Sequence, residues 1–141
     1  MVGIIGAMHI EVETIKALME NKTVETISGV DYVRGVLHGS EIVIAACGIG
    51  KVAAAMCAQT MILKYAPDCI INTGVGGSLC TKLAIGDIAV AEKLVQHDMD
   101  TSPLGDPKGL ISGINKIFFE TDNRATVMVG NIAAKLSLKC K

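Results

Sequence analysis

Residues 69–79 read Cys-Ile-Ile-Asn-Thr-Gly-Val-Gly-Gly-Ser-Leu, and this stretch decides the fold class. The apolar run at its start is typical of a buried parallel strand. Three glycines follow at Gly74, Gly76 and Gly77, where they allow a sharp turn and a close approach to a ligand. Ligands of open α/β sheets lie beyond the carboxyl ends of the strands. The stretch predicts an α/β fold, with either a tight turn or a ligand loop after this strand.

Two earlier junctions have the same order of strand, glycine and helix. Residues 2–5 form an apolar run that predicts a buried strand, followed by a helix over about 9–20. A second strand over residues 41–47 precedes a glycine turn at 48–50 and a helix over about 51–65. Repeated strand–helix alternation favours parallel pairing.

The segment between these junctions predicts antiparallel strands. Residues 23–28, 32–37 and 41–47 are strand-like runs joined by short glycine-containing connections, which is typical of a meander. The sheet should therefore be mixed. After the glycine loop, residues 88–91 predict one further strand.

Two helices carry specific expectations about burial. The helix over 51–65 has no charge between residues 52 and 63, so we expect it to be buried on most sides. The last helix spans about 122–138, with Asp122 as its N-cap. Its expected inner positions are Val127, Val129, Ile132 and Leu136.

Glu11 is the carboxylate that stands out. The first helix has one apolar face, formed by Met8, Val12, Ile15 and Met19. Glu11 lies at the edge of that face, just after the end of a strand. A half-buried carboxylate there is costly unless it has a partner or a function. The alternative is a first-turn glutamate that is stabilised by the helix dipole.

Composition excludes several function classes. The 141 residues have a net charge of −1 and a mean hydropathy of +0.48, so neither nucleic acid nor an anionic membrane is an expected partner. The longest uncharged run, residues 52–63, is too short to cross a bilayer, which takes about 20 residues. No signal peptide is expected after Met1, because no basic region precedes the first apolar run.

The cysteines and histidines bear on the cellular compartment of the protein and on whether it binds a metal. The five cysteines are odd in number and include no C-x-x-C pair, which favours free thiols in a reducing cytoplasm. His97 and Asp98 are adjacent but have no evident third ligand, so no metal is expected.

Residues 48–53, Gly-Ile-Gly-Lys-Val-Ala, come close to the dinucleotide-binding pattern G-x-G-x-x-G/A. The pattern also requires an acidic residue after the next strand, where this chain has Asn72 and Thr73. A phosphate-binding P-loop fails as well, because Val52 stands where serine or threonine is required. No cofactor is therefore expected.

Three segments together carry a family resemblance: residues 3–12, 47–55 and 70–77. In their order along the chain and in their amino-acid sequence they resemble the nucleoside phosphorylase family, in particular its bacterial 5′-methylthioadenosine/S-adenosylhomocysteine nucleosidases. The resemblance implies a three-layer α/β fold, with a mixed central sheet flanked by helices. Residues 1–141 would be the N-terminal part of one domain, truncated at its C-terminal side. It also implies a homodimer that hydrolyses an adenine thio-nucleoside to adenine and a thioribose product in methionine salvage.

The resemblance assigns roles by position. Glu11 matches the glutamate that activates water for attack on the N-glycosidic bond. The positions that match substrate-binding residues line the sugar side, the thioalkyl side and the loop beside the base: Ala7, Met8, Ile49, Val75, Gly76 and Gly77.

The resemblance also implies an incomplete site. The family's later part supplies a Met-Glu pair for the ribose hydroxyls and an aspartate that protonates the leaving base. No Met-Glu pair occurs after Met19-Glu20, at the end of the first helix, and no later aspartate has a matching context in residues 1–141. The alternatives are a phosphorylase of the same fold and a non-catalytic purine-binding protein. Loop 72–77 contains no arginine to hold phosphate, which favours a hydrolase over a phosphorylase.

Overall fold

The computed structural model describes residues 1–141, and the chain divides into two compact units, Met1–Gly77 and Ser78–Lys141. The first unit holds a five-stranded sheet and two α-helices, and the second holds a two-stranded sheet and one α-helix. The single domain expected over residues 1–141 stays a prediction.

The first unit contains a mixed sheet, as the sequence predicts. Its elements are β1 Val2–Gly6, α1 His9–Leu18, β2 Glu20–Ile27, β3 Val30–Leu37, β4 Ser40–Ala46, α2 Lys51–Tyr65 and β5 Cys69–Asn72. The strand order is β2-β3-β4-β1-β5. Strands β2, β3 and β4 form the antiparallel meander, and β1 pairs in parallel with both β4 and β5.

Two tight turns set the register of the meander. Ser28 and Gly29 connect β2 to β3, with φ angles of 50° and 78°. His38 and Gly39 connect β3 to β4, with φ angles of 48° and 79°. Two consecutive positive φ values are the geometry of a type I′ turn, whose twist matches that of the flanking strands.

The unit has three layers, because alternate residues of the central strands face opposite helices. Ile42 and Ile44 of β4 share a buried cluster with Val12 of α1. The intervening Val43 shares another cluster with Met61 of α2. Side chains alternate between the two faces of a strand, so residues 42–45 of β4 are buried on both sides and form a continuous apolar run. The predicted layered α/β architecture is confirmed.

Strand β5 differs from its expected burial. It pairs in parallel with β1, as predicted, but lies at the edge of the sheet. Cys69 and Asn72 are exposed, and Ile71 is 46% exposed. The expectation of a buried strand was wrong, because no other strand pairs with its outer edge and no helix covers Ile71. An apolar run predicts a strand more reliably than it predicts which neighbours cover it.

Helix α2 is buried on one side only. Cys57 and Met61 contact the sheet, whereas Val52, Met56 and Leu63 are exposed. The expectation that this helix is buried on most sides was wrong. Its outer face is apolar but has no covering layer within residues 1–141.

We expect Met61→Ala to lower the free energy of unfolding by about 2–5 kcal/mol, the usual range for emptying a filled core position. Met61 is fully buried, and its sulfur lies where a Cβ on Gly3 would stand, so the site is tightly packed. Urea unfolding followed by circular dichroism measures the change. The matched control is Leu63→Ala on the exposed face of α2, which should change stability by no more than about 0.5 kcal/mol. Equal losses in the two variants would contradict this packing.

The second unit contains shorter elements, and one predicted strand is absent. The expected strand at residues 88–91 was wrong: Ile88 forms only an isolated parallel bridge, to Cys140. Its amide donates to Lys139 O at 2.8 Å, and the Lys141 amide donates to Ile88 O at 2.9 Å. This pairing is too short for a strand. The regular elements are β6 Lys93–Leu94, a 3₁₀ turn Ser102–Leu104, β7 Phe119–Glu120 and α3 Asn123–Lys135.

Helix α3 begins where the sequence predicts. The Asp122 carboxylate accepts from the amides of Arg124 and Ala125 at 2.9 and 3.0 Å, which confirms it as the N-cap. Its expected inner positions were wrong, because the only buried residue of α3 is Ala133. The four apolar residues named for its inner face are all exposed within residues 1–141. None of the three α-helices has the length and apolar character needed to span a membrane.

Candidate functional site

The candidate site lies where three parallel strands end side by side. Backbone hydrogen bonds join the segments that leave β4, β1 and β5. Cys47 N donates to Gly6 O at 2.8 Å, and Gly48 N donates to Ala7 O at 3.0 Å. On the other side, Thr73 N donates to Ile5 O at 2.9 Å. The first loop, residues 7–8 after β1, is therefore held between the segments that follow β4 and β5. It lies at the carboxyl ends of the strands, where α/β proteins bind ligands.

The glycine turn after β4 depends on backbone conformation. Gly48 and Gly50 have φ angles of 89° and 107°. Residues with a Cβ rarely adopt this region, so the turn from β4 into α2 requires glycine at both positions. Ile49 lies between them and is 80% exposed. The turn thus presents an apolar side chain beside the strand ends.

Glu11 connects the first loop to the glycine loop. It is the third residue of α1, whose N-cap is Met8 in an extended conformation. Met8 N donates to Glu11 Oε2 at 2.8 Å, which is the helix-capping contact expected of a first-turn glutamate. Val75 N donates to the other oxygen, Oε1, at 2.9 Å. The carboxylate therefore has two fixed donors, one of them 64 positions away along the chain.

The electrostatic setting keeps Glu11 ionised. The Val75 amide, and after it the Met8 amide, hold the pKa of the Glu11 carboxyl below its ordinary value, although partial desolvation opposes them. The charge of Glu11 also acts on the buried Cys47 thiol. Burial raises the pKa of Cys47, and the charge of Glu11 adds to that rise. At neutral pH the site therefore holds one negative charge, on Glu11.

The remaining predicted residues fall into two groups. Ala7 and Met8 are partly buried and lie within the loop that bears the Glu11 contacts. Val75 contributes its amide to Glu11, but its side chain is 81% exposed. Gly76 and Gly77 continue the loop in open space, with no atom within 4 Å of where a Cβ would stand. The structure brings Ala7, Met8, Glu11 and Val75 together and leaves the other side of the site open.

Sequence reasoning missed two features of this site. The first is the role of the Val75 amide, which no side-chain pattern can reveal. The second is Gly74, where a Cβ would lie 2.5 Å from Glu11 Oε1. Three glycines within four positions were the available signal, but the sequence does not tell which of them faces a side chain.

Other parts of the chain offer no competing chemical site. Residues 1–141 contain no group of three or more His, Cys, Asp or Glu side chains placed to hold a metal ion. Two surface depressions lie in the second unit, and the larger of them is an apolar strip along α3 that includes Val127, Met128 and Ile132. Neither contains a residue from the strand ends.

Comparison with known protein families identifies the class of protein to which this fold and site belong. Residues 1–135 match the Phosphorylase superfamily. The chain belongs to that superfamily.

Within it, the chain is similar to 5′-methylthioadenosine/S-adenosylhomocysteine nucleosidases. It is 39% identical to the Shewanella putrefaciens enzyme of that name over 145 aligned positions, which cover 99% of this chain and 63% of the relative. A Shewanella baltica enzyme of the same name is also 39% identical, with 61% of its length covered. The chain thus spans about three-fifths of the length of these relatives.

Solved structures give the same picture. The Helicobacter pylori nucleosidase mutant with 5′-methylthioadenosine in its active site has a TM-score of 0.94 and 35% identity, over 99% of this chain and 61% of that one. The Neisseria meningitidis nucleosidase in complex with methylthio-immucillin-A has a TM-score of 0.94 and 31% identity, over 99% and 60%. A futalosine hydrolase of H. pylori has a TM-score of 0.93 and 34% identity, over 99% and 60%.

Proposed function

We propose that this chain is the N-terminal part of an N-glycosyl hydrolase that splits 5′-methylthioadenosine and S-adenosylhomocysteine into adenine and a thioribose product. The observation that carries the proposal is the Glu11 carboxylate, held ionised at the ends of β1 and β5 by the Met8 and Val75 amides. The similarity to nucleosidases along 99% of the chain supports the same reaction.

The chemistry needs an anion at this point. As the bond from the sugar to adenine breaks, positive charge develops on the sugar, and water adds to the anomeric carbon. In this proposal Glu11 accepts a hydrogen bond from that water and takes its proton as the new carbon–oxygen bond forms. Its lowered pKa favours orientation and charge stabilisation over strong basicity, which suits attack on a cationic centre.

The residues around Glu11 define one side of the pocket. We assign Ala7, Met8 and Ile49 to the sugar and thioalkyl side, and the loop from Val75 to Gly77 to the base and water side. Ala7 and Met8 adjoin Glu11 in the first loop, and Ile49 projects from the turn after β4. We assign no residue of 1–141 to holding the ribose hydroxyls or to protonating the leaving base.

Water is favoured over phosphate as the nucleophile. A phosphorylase must hold a phosphate dianion, which usually requires arginine. Loop 72–77 contains no arginine, and the Glu11 carboxylate would repel a phosphate at the same place. Hydrolysis therefore fits the charges of this site better than phosphorolysis.

The biological setting is also part of the proposal. The protein would act in methionine salvage in the cytoplasm, and the five free cysteines are consistent with a reducing compartment. It would assemble as a homodimer. The exposed apolar face of α2, with Val52, Met56 and Leu63, supports association, because a contiguous exposed apolar patch is often an interface.

A fusion protein tests the proposed reaction. Residues 1–141 are joined to the C-terminal part of the S. putrefaciens nucleosidase that lies beyond the aligned region. We expect the fusion to release adenine from 5′-methylthioadenosine at the same rate with and without inorganic phosphate. Chromatography of adenine and of the sugar product provides the measurement.

Each alternative outcome of that assay has a definite reading. Adenine release that requires phosphate would indicate a phosphorylase. A folded fusion that releases no adenine would contradict the proposal. Futalosine is assayed in parallel, because the chain is also similar to the H. pylori futalosine hydrolase, and turnover of futalosine alone would replace the proposed substrate.

A further inference from the structure

The space above Gly74 is filled by the Glu11 carboxylate. A Cβ built on Gly74 would lie 2.5 Å from Glu11 Oε1, 2.7 Å from Cδ and 3.0 Å from Oε2. Carbon atoms do not approach carboxylate atoms this closely without a shift. Any residue larger than glycine at position 74 must therefore displace the Glu11 side chain or move the loop.

Gly74 is required by space and not by backbone conformation. Its φ angle is outside the left-handed region, so a residue with a Cβ could adopt the same backbone. Gly76 and Gly77 share that property but have open space where a Cβ would stand. Among the three glycines of the loop, only Gly74 is in contact with the carboxylate.

Gly6 performs a related role from the opposite side. A Cβ on Gly6 would lie 2.7 Å from Val12 Cγ1 and 3.2 Å from Glu11 Cβ. The stem of Glu11 is therefore packed against the end of β1, and its carboxylate is packed against Gly74. The Glu11 side chain is thus in close contact at both its ends in the position where it accepts from both backbone amides.

We propose that Gly74 is a positioning residue, whose missing side chain lets the Glu11 carboxylate reach the Val75 amide. Gly74 acts only through Glu11, and the catalytic consequence of this role rests on the proposed function. The amide of Val75 directly follows Gly74, so a clash at position 74 acts on the 2.9 Å hydrogen bond itself. Without that bond, the carboxylate loses the donor that contributes most to lowering its pKa.

Nuclear magnetic resonance of residues 1–141 tests this without any enzymatic assay. In Gly74→Ala, we expect the titration midpoint of the ¹³C-labelled Glu11 carboxyl to move up. The control is Gly76→Ala, a change of the same size at an open position of the same loop, which should leave that midpoint unchanged. A folded Gly74→Ala variant with an unchanged Glu11 midpoint would overturn the proposal.

A second variant covers the case in which Gly74→Ala fails to fold. Glu11→Asp shortens the side chain by one methylene and withdraws the carboxylate from the added methyl group. If the clash with Glu11 is the cause, the double variant Gly74→Ala/Glu11→Asp folds, whereas failure of the double variant to fold would overturn the proposal. The result is separate from the proposed reaction, because the fusion protein could be inactive while the titration still changes as expected.

Discussion

Residues 1–141 by themselves should release adenine from 5′-methylthioadenosine at least about 100-fold more slowly than the S. putrefaciens relative. The chain holds the proposed water-binding carboxylate, Glu11, but no group that the family resemblance assigns to protonation of the leaving base. General acid catalysis alone contributes about 10²–10⁴-fold to such a rate. Loss of the groups that hold the ribose would reduce orientation of the sugar and lower the rate further.

The measurement requires proof that the chain is folded. Circular dichroism and the dispersed amide signals of β1 and β4 establish this before adenine release is followed by chromatography. The S. putrefaciens enzyme serves as the positive control under the same conditions. A rate within about tenfold of that enzyme would contradict this prediction. It would show that residues 1–141 contain a group that protonates the leaving base and groups that hold the ribose hydroxyls.

The sequence predicted the elements that are determined locally. The run over residues 41–47 predicted a strand, and the structure has β4 there, with α1 on one side and α2 on the other. Short glycine-containing connections predicted the antiparallel meander. The edge position of Glu11 on its helix predicted a half-buried carboxylate, and the structure gives it two backbone donors.

The errors concern burial by distant parts of the chain. The apolar side chains of β5, α2 and α3 suggested buried positions, yet many of them are exposed within residues 1–141. The apolar side chains of a helix or strand face indicate that the face can be buried, but they do not identify the segment or subunit that buries it. The relatives are longer than this chain, which is consistent with faces that have no partner here.

The sequence predicted only the part of the site that is formed by side chains. A carboxylate beside glycine-rich loops pointed to Glu11 and to the loop after β5. The hydrogen bond from the Val75 amide to Glu11 depends on backbone geometry. The role of Gly74 depends on the Glu11 carboxylate, which lies close to where a side chain at position 74 would begin. Both arise from the contact between segments that are 64 positions apart, which no local pattern encodes.

Glu11→Gln should be the most damaging conservative change in the fusion of residues 1–141 with the S. putrefaciens C-terminal part. The glutamine is nearly the same size and keeps one oxygen that can accept a hydrogen bond, but it has no negative charge and cannot take a proton from water. We expect kcat to fall by about 10²–10⁴-fold, the usual contribution of a positioned acid or base. KM should change little, because the lost interaction strengthens as positive charge develops on the sugar.

A matched variant separates this effect from a general loss of charge or stability. Glu13→Gln removes the same charge from the exposed side of α1 without touching the Val75 amide, so its kcat should stay close to that of the unmodified fusion. If Glu11→Gln raised KM and left kcat unchanged, Glu11 would bind the ground state and transition state equally. In that event Glu11 would contribute to substrate binding and not to the chemical step.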